Sequence, residues 1–352
     1  MNHSYINRIA TAVPRHEVHE AFRRFAGRQI VDARTRTAFD RLAEKSQIDA
    51  RFSVLEPDAE ARGTTDKFYE LERFPSTGAR MARFEADAPA LAEAACDALG
   101  LETEGPRVTH LVLATCTGFA APGLDHWLIR RYGLPGHVER TVVGFMGCQA
   151  AINALKLARQ AVRSDPDARV LVVNLELCSL HLQPATELEQ LMCFLLFADG
   201  CSAALVTGER EGLRMDGFRA ALVPEARDHI TWRIGDAGFD MTLSGLVPLT
   251  LARALPEHSE AILDGAAPEK IDLWAVHPGG RSVLDAVAHG MALPQGALAE
   301  SRAVLREHGN MSSATVMFVL RRMMEGARPG QRGCALAFGP GLSAETMRFT
   351  AV

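Results

Sequence analysis

The chain has 352 residues, 47% of them hydrophobic and 23% charged, with a formal net charge of −5. This exceeds the roughly 150 residues of an average domain and allows a large core, built as one unit or as two fused halves. The acidic balance and the lack of a polybasic run exclude an electrostatic footprint for nucleic acid or for an anionic membrane surface.

In chain order, the amino terminus shows no basic segment leading into an apolar core, so it does not read as a signal peptide. The first ~70 residues, with the charged run Arg34–Arg51, predict a helical extension. Apolar spacing predicts a helix over Pro89–Leu99 with Pro89 at its first position, then a strand over Val108–Ala114 and a helix over Leu124–Tyr132. A strand-like Thr141–Gly144 leads into a helix over Gln149–Arg163, followed by strands over Val170–Leu175 and Cys201–Thr207. After a polar break at Glu209–Gly217, the series resumes with a strand over Ile271–Val276 and helices over Gly280–His289 and Ala314–Glu325. A strand over Cys334–Phe338 closes it. Strands alternating with helices predict an α/β fold with a mainly parallel sheet, and the pattern occurs twice, dividing the chain into 1–210 and 211–352. No apolar run approaches the ~20 residues of a membrane-spanning helix, so a cytoplasmic location is expected.

The seven cysteines are odd in number, scattered and free of any C-x-x-C pair, which argues against a disulfide framework and a zinc cluster. No metal is expected. Cys148, in Gly144-Phe145-Met146-Gly147-Cys148-Gln149-Ala150-Ala151, is placed on a sharp turn opening a helix, where unpaired N–H groups favour a thiolate. A buried structural cysteine would fit that segment equally well. His277 ends a buried strand before Pro278-Gly279-Gly280, where α/β folds bind ligands, although a histidine bonded to a turn carbonyl would look the same. Asn310, in Gly309-Asn310-Met311-Ser312-Ser313, opens another helix and could simply cap it. All three stand at strand–turn–helix junctions, which predicts a common sheet edge. A histidine beside the thiol would stabilise its anion, and a His–Asn pair could donate to an enolate oxygen. Papain-like proteases share the Cys…His…Asn order, but their cysteine lies near the mature amino terminus in a different local sequence.

These segments resemble the type III polyketide synthases, the chalcone synthase superfamily. HPGG, GNMSSAT and the loop Phe338-Gly339-Pro340-Gly341 carry the resemblance, which runs from about Ser46 to the end. It implies a thiolase-like fold, with two βαβ halves giving a layered αβαβα architecture; the first half carries the cysteine and the second the His and Asn. It also implies that Cys148 carries the acyl chain and that His277 and Asn310 serve in malonyl decarboxylation. Phe197 matches a gatekeeper aromatic, and Gly279, Gly339 and Pro340 belong to the site loops. Lys45 and Arg41 match cations at a CoA entrance, with Ala38 where a third is common. Trp232, Met241, His181, Cys178 and Cys116 fall at cavity positions that differ from the plant pattern, and Ala121 stands where a Met commonly reaches across a dimer. The resemblance further implies an acyl-CoA starter, malonyl-CoA, no cofactor and a homodimer. The expected products are triketides or tetraketides closing to a pyrone, resorcinol or phloroglucinol. A ketoacyl synthase III-type enzyme and a non-catalytic thiolase-fold scaffold are the alternatives; the former typically has HQAN where this chain has HPGG.

Overall fold

The structure is a computed structural model describing residues 2–185 and 187–352. In chain order its strands are β1 (Tyr5–Ala12), β2 (His16–Glu17), β3 (Phe52–Ser53), β4 (His110–Thr115), β5 (Glu139–Gly144), β6 (Val170–Leu177) and β7 (Asp199–Thr207). They continue with β8 (Leu213–Leu222), β9 (Ile230–Gly235), β10 (Gly238–Leu243), β11 (Leu273–Val276), β12 (Arg332–Gly339) and β13 (Ser343–Ala351). The main sheet has the order β11-β12-β13-β8-β1-β7-β6-β4-β5.

That sheet contains one arrangement twice. In the amino half β4–β6 is parallel, while β6–β7 and β7–β1 are antiparallel. In the carboxy half β11–β12 is parallel, while β12–β13 and β13–β8 are antiparallel. The halves meet through Tyr5↔Arg214 and Ile6↔Leu213.

The helix Ala150–Ser164 packs on β4 and β6 of one half and on β12 and β13 of the other; Thr315–Gly326 likewise packs on β1 and β11. Both are buried over much of their length, with small residues such as Ala150, Ala151 and Ala154 permitting close approach to strands. Outside, Thr77–Leu99 covers β1, β6 and β7, and Val247–Ile262 covers β8 and β13. The result is helix, sheet, helix, sheet, helix: the expected layered architecture.

Three expectations need correction. The main sheet is mixed and not mainly parallel: among the described residues only β4–β5, β4–β6 and β11–β12 pair in parallel, because β1, β7, β8 and β13 run antiparallel to their neighbours, a long-range pairing that local apolar runs do not encode. Within the supposed helical extension, only His19–Gln29 and Ala33–Lys45 are long helices, while Tyr5–Ala12 is a strand. It lies mid-sheet between β7 and β8 with Tyr5 and Ile6 buried, a long-range placement that local periodicity does not encode. Pro89 is inside its helix, which begins at Thr77 after Ser76 accepts from the Ala79 N–H. The buried stripe Phe84, Ala88, Leu91, Ala92, Ala95 and Leu99 runs through Pro89, and its burial offsets the lost backbone bond. No helix among the described residues is long and apolar enough to cross a membrane.

Candidate active site

Three backbone turns build the site. After β5, Phe145 and Gly147 both take positive φ (56° and 71°), reversing the chain so that Cys148 stands in a short turn before the helix Ala150–Ser164. A Cβ on Gly147 would lie 2.3 Å from Pro340 Cδ, so glycine is required where the FGPG loop closes over the cysteine turn. His277 follows β11, its N–H donating to Leu336 O of the parallel neighbour β12 at 2.7 Å. Asn310 is clamped by backbone bonds on both sides: its N–H donates to Leu196 O and the Ala198 N–H donates to its carbonyl, each at 2.8 Å. This bridge fixes Phe197 against Asn310.

The Asn310 amide has a defined orientation. Its Oδ1 accepts from the Ser312 N–H at 2.9 Å, while Nδ2 donates to Gly279 O at 3.3 Å and toward the Cys148 thiol. Local capping and side-chain donation therefore coexist in one residue. His277 is 2% exposed, and both ring nitrogens lack a partner. Buried polar atoms are rarely left unsatisfied, so an unpartnered imidazole in a cavity wall is the notable feature here.

Burial opposes charge at this site, and the sequence-based expectation of a readily formed thiolate needs qualification. Removal from water pushes the Cys148 thiol up to about 12, against hydrogen bonds from Ser312 and Asn310 that favour the anion. It pushes His277 down to about 3, so the imidazole is neutral at physiological pH and keeps one N–H donor. Moving a proton from thiol to imidazole leaves the pair's net charge at zero, whereas ionising either group alone does not.

Cys148, His277 and Asn310 line one predominantly apolar cavity, together with Phe197, Met241, Trp232, His181, Cys178, Cys116, Gly279, Gly339 and Pro340. Trp232 and Met241 are directly opposed across the β9–β10 hairpin, and Trp232 Nε1 donates to Cys116 O at 2.8 Å. His181 stacks on Phe239 with centroids 4.1 Å apart and accepts from the Phe239 N–H at Nδ1, so its Nε2–H donates to Thr117 O. These bonds make it a neutral brace of the hairpin. Ala121 sits on an exposed turn outside this cavity. A groove sharing Cys193, Leu243, Val247, Gly279 and Val283 with the cavity carries Lys45 at its rim; Arg41 does not line it.

Sequence reasoning missed several participants. Arg281 joins Lys45 along the groove, and its place directly after HPGG was the available signal. Phe194 lines the cavity without any distinctive local pattern, whereas Ser312 does so from within the GNMSSAT motif. Glu176 lies beneath it, accepting from Cys116 N, Thr117 Oγ1 and Ser313 Oγ; burial raises its carboxyl to about 7.

A duplicated layered fold with Cys, His and Asn around an apolar cavity defines a class, the acyl-transferring condensing enzymes. Family models narrow it: the chalcone and stilbene synthase N-terminal domain matches residues 6–210 and the C-terminal domain matches residues 217–352. The chain is 33% identical to the alpha-pyrone synthesis polyketide synthase-like Pks18 of Mycobacterium tuberculosis, covering 98% of this chain and 90% of that protein. It is 32% identical to the 1,3,6,8-tetrahydroxynaphthalene synthase of Streptomyces coelicolor, covering 87% and 80%. The crystal structure of that type III polyketide synthase superposes with a TM-score of 0.85 at 27% identity over 99% of each chain. The type III domain of Steely1 from Dictyostelium superposes at 0.90, with 26% identity and full coverage of both. The protein belongs to the chalcone and stilbene synthase family and is a type III polyketide synthase, an acyltransferase of iterative decarboxylative condensation.

Proposed function

We propose that Cys148 carries the growing acyl chain and that His277 and Asn310 promote decarboxylation of the extender. The observation carrying this reading is the buried His277 ring, with both nitrogens unpartnered in one cavity wall with Cys148 and the Asn310 Nδ2 donor. In the first step the Cys148 thiol passes its proton to His277 as Sγ attacks the starter thioester; CoA leaves as the thiol and the chain becomes Cys-bound. Malonyl-CoA then loses CO2, and the enolate oxygen accepts from the His277 N–H and Asn310 Nδ2. A neutral imidazole suits this role because it donates without carrying charge. The enolate carbon attacks the acyl-cysteine carbonyl, forming the carbon–carbon bond and expelling the Cys148 thiolate.

The groove rimmed by Lys45 and Arg281 suits CoA, whose phosphates favour cationic contacts and whose pantetheine arm suits the apolar passage. This chemistry draws on CoA thioesters alone and calls for no separate cofactor. Trp232 removes volume that a smaller residue would leave, which favours compact products: a pyrone, resorcinol or phloroglucinol from a triketide or tetraketide. The exposed edge strand β5, with Val142 at 47% exposure and with Phe119 and Met146 also exposed, supports a homodimer covering that face. The test is incubation with labelled malonyl-CoA and short, long and aromatic acyl-CoAs. Labelled CO2 and polyketide products are expected; absence of both with every starter overturns the reading.

A further inference from the structure

The turn that delivers Cys148 is built against the preferences of its own sequence. Gly147 accepts a φ of 71° easily, but Phe145, at 56°, does not. A left-handed backbone is an outlier for a bulky residue and persists only where the surroundings over-determine it. Glycine or asparagine would take the same conformation readily, so the ring at this position has a use that outweighs the strain.

The contacts of the ring identify that use. Phe145 does not line the catalytic cavity. It packs against Phe119, with centroids 5.5 Å apart, and edge-on against Phe239, also at 5.5 Å. Phe119 lies over the backbone of the same turn: a Cβ on Gly144 would be 2.8 Å from its Cε1. Phe239 is 1% exposed, stacks on His181 and meets Trp232 edge-on. A second tie closes the circuit. The Gly147 N–H donates to Cys116 Sγ at 3.1 Å, and the Cys116 carbonyl accepts from Trp232 Nε1. The turn is therefore fastened to the β9–β10 hairpin on both sides of Met146, by rings at Phe145 and by hydrogen bonds at Gly147.

We propose that Phe145 is a positioning residue for Cys148: its ring anchors the left-handed turn to Phe239 and so holds the thiol in place within the cavity wall it shares with His277. A misplacement of about 1 Å can cost a hundredfold in rate, so a loosened turn slows attack by Sγ on the starter thioester. Decarboxylation of malonyl-CoA, assigned to His277 and Asn310 in the other half of the chain, is unaffected. The inference rests on the roles proposed for those three residues.

The test uses the whole enzyme and two readouts. One is the rate of acyl transfer to Cys148 from acetyl-CoA and hexanoyl-CoA, read by intact mass with the adduct mapped. The other is the rate of labelled CO2 release from malonyl-CoA without a starter. Phe145→Asn keeps a residue at ease with positive φ but removes the ring. Its acyl transfer should fall about tenfold, while CO2 release stays within about twofold of wild type. Phe145→Tyr keeps the ring and should transfer at the wild-type rate. Phe145→Leu keeps apolar bulk without the ring and should also transfer about tenfold more slowly, so it decides the matter if Phe145→Asn does not fold. Wild-type transfer in the ringless variants overturns the proposal, as does transfer by Phe145→Tyr no faster than theirs. An equal fall in both rates would reduce Phe145 to a general structural role and overturn it too. If the wild-type enzyme itself took no acyl group on Cys148, the acyl-loading reading would fail instead.

Discussion

At the scale of single residues, the site rests on two neutral groups that act together. Cys148 is pushed up to about 12 and His277 down to about 3, both by burial, so each needs the other to change protonation cheaply. His277→Ala removes the acceptor for the thiol proton. Iodoacetamide alkylation mapped to Cys148 should fall about a hundredfold at neutral pH and should climb steadily as the pH is raised above 9. Alkylation of the variant at the wild-type rate would show that the imidazole takes no part. Asn310 shows how one residue can be both cap and donor: Oδ1 accepts from the Ser312 N–H while Nδ2 donates to Gly279 O and toward the Cys148 thiol.

At the scale of elements, the β9–β10 hairpin brings Trp232 and Met241 to the cavity, and His181 holds it there. Burial lowers the His181 pKa from 6.5 to about 4, so the folded state binds its proton less readily than the unfolded chain. The neutral form's advantage is fully present above pH 6.5. It is lost as the pH falls from 6.5 through 4, where the difference reaches about 3 kcal/mol. His19 and His277, each lowered to about 3, act in the same direction. Thermal unfolding should therefore show Tm falling steeply between these limits, and His181→Gln should flatten part of that slope. A variant with an undiminished slope would place the acid sensitivity elsewhere. The glycines at 147 and 309 work at this scale too. Both have positive φ, and a side chain at either would strike its surroundings, Pro340 in one case and Arg51 in the other.

At the scale of the whole molecule, the two halves meet at the site: the cysteine turn comes from the first, while His277, Asn310 and the FGPG loop come from the second. The edge strand β5, which leads directly to Cys148, keeps Val142 exposed. A homodimer covering this strand should appear by light scattering at twice the 38.2 kDa chain mass. Val142→Glu buries a charge in that contact and should shift the species toward monomer, with activity falling in parallel. A dimer indifferent to Val142→Glu would mean that another face is used.

The sequence by itself determined the buried strands and helices whose apolar runs are local, the doubling of the pattern, and the three turns bearing Cys148, His277 and Asn310. Glycine and proline mark those turns because steric limits on φ act within a few residues. Resemblance to the family supplied Phe197, Trp232 and Met241, which no local pattern distinguishes from core residues. Only the tertiary structure decided that Tyr5–Ala12 is a central strand and that Pro89 lies within a helix. It also decided that Arg281, but not Arg41, joins Lys45 along the groove, and that the Phe145 ring packs against Phe239 of the β9–β10 hairpin. Each depends on which distant segments pack around a residue. Desolvation, the influence that holds Cys148 and His277 neutral, is likewise set by that enclosure.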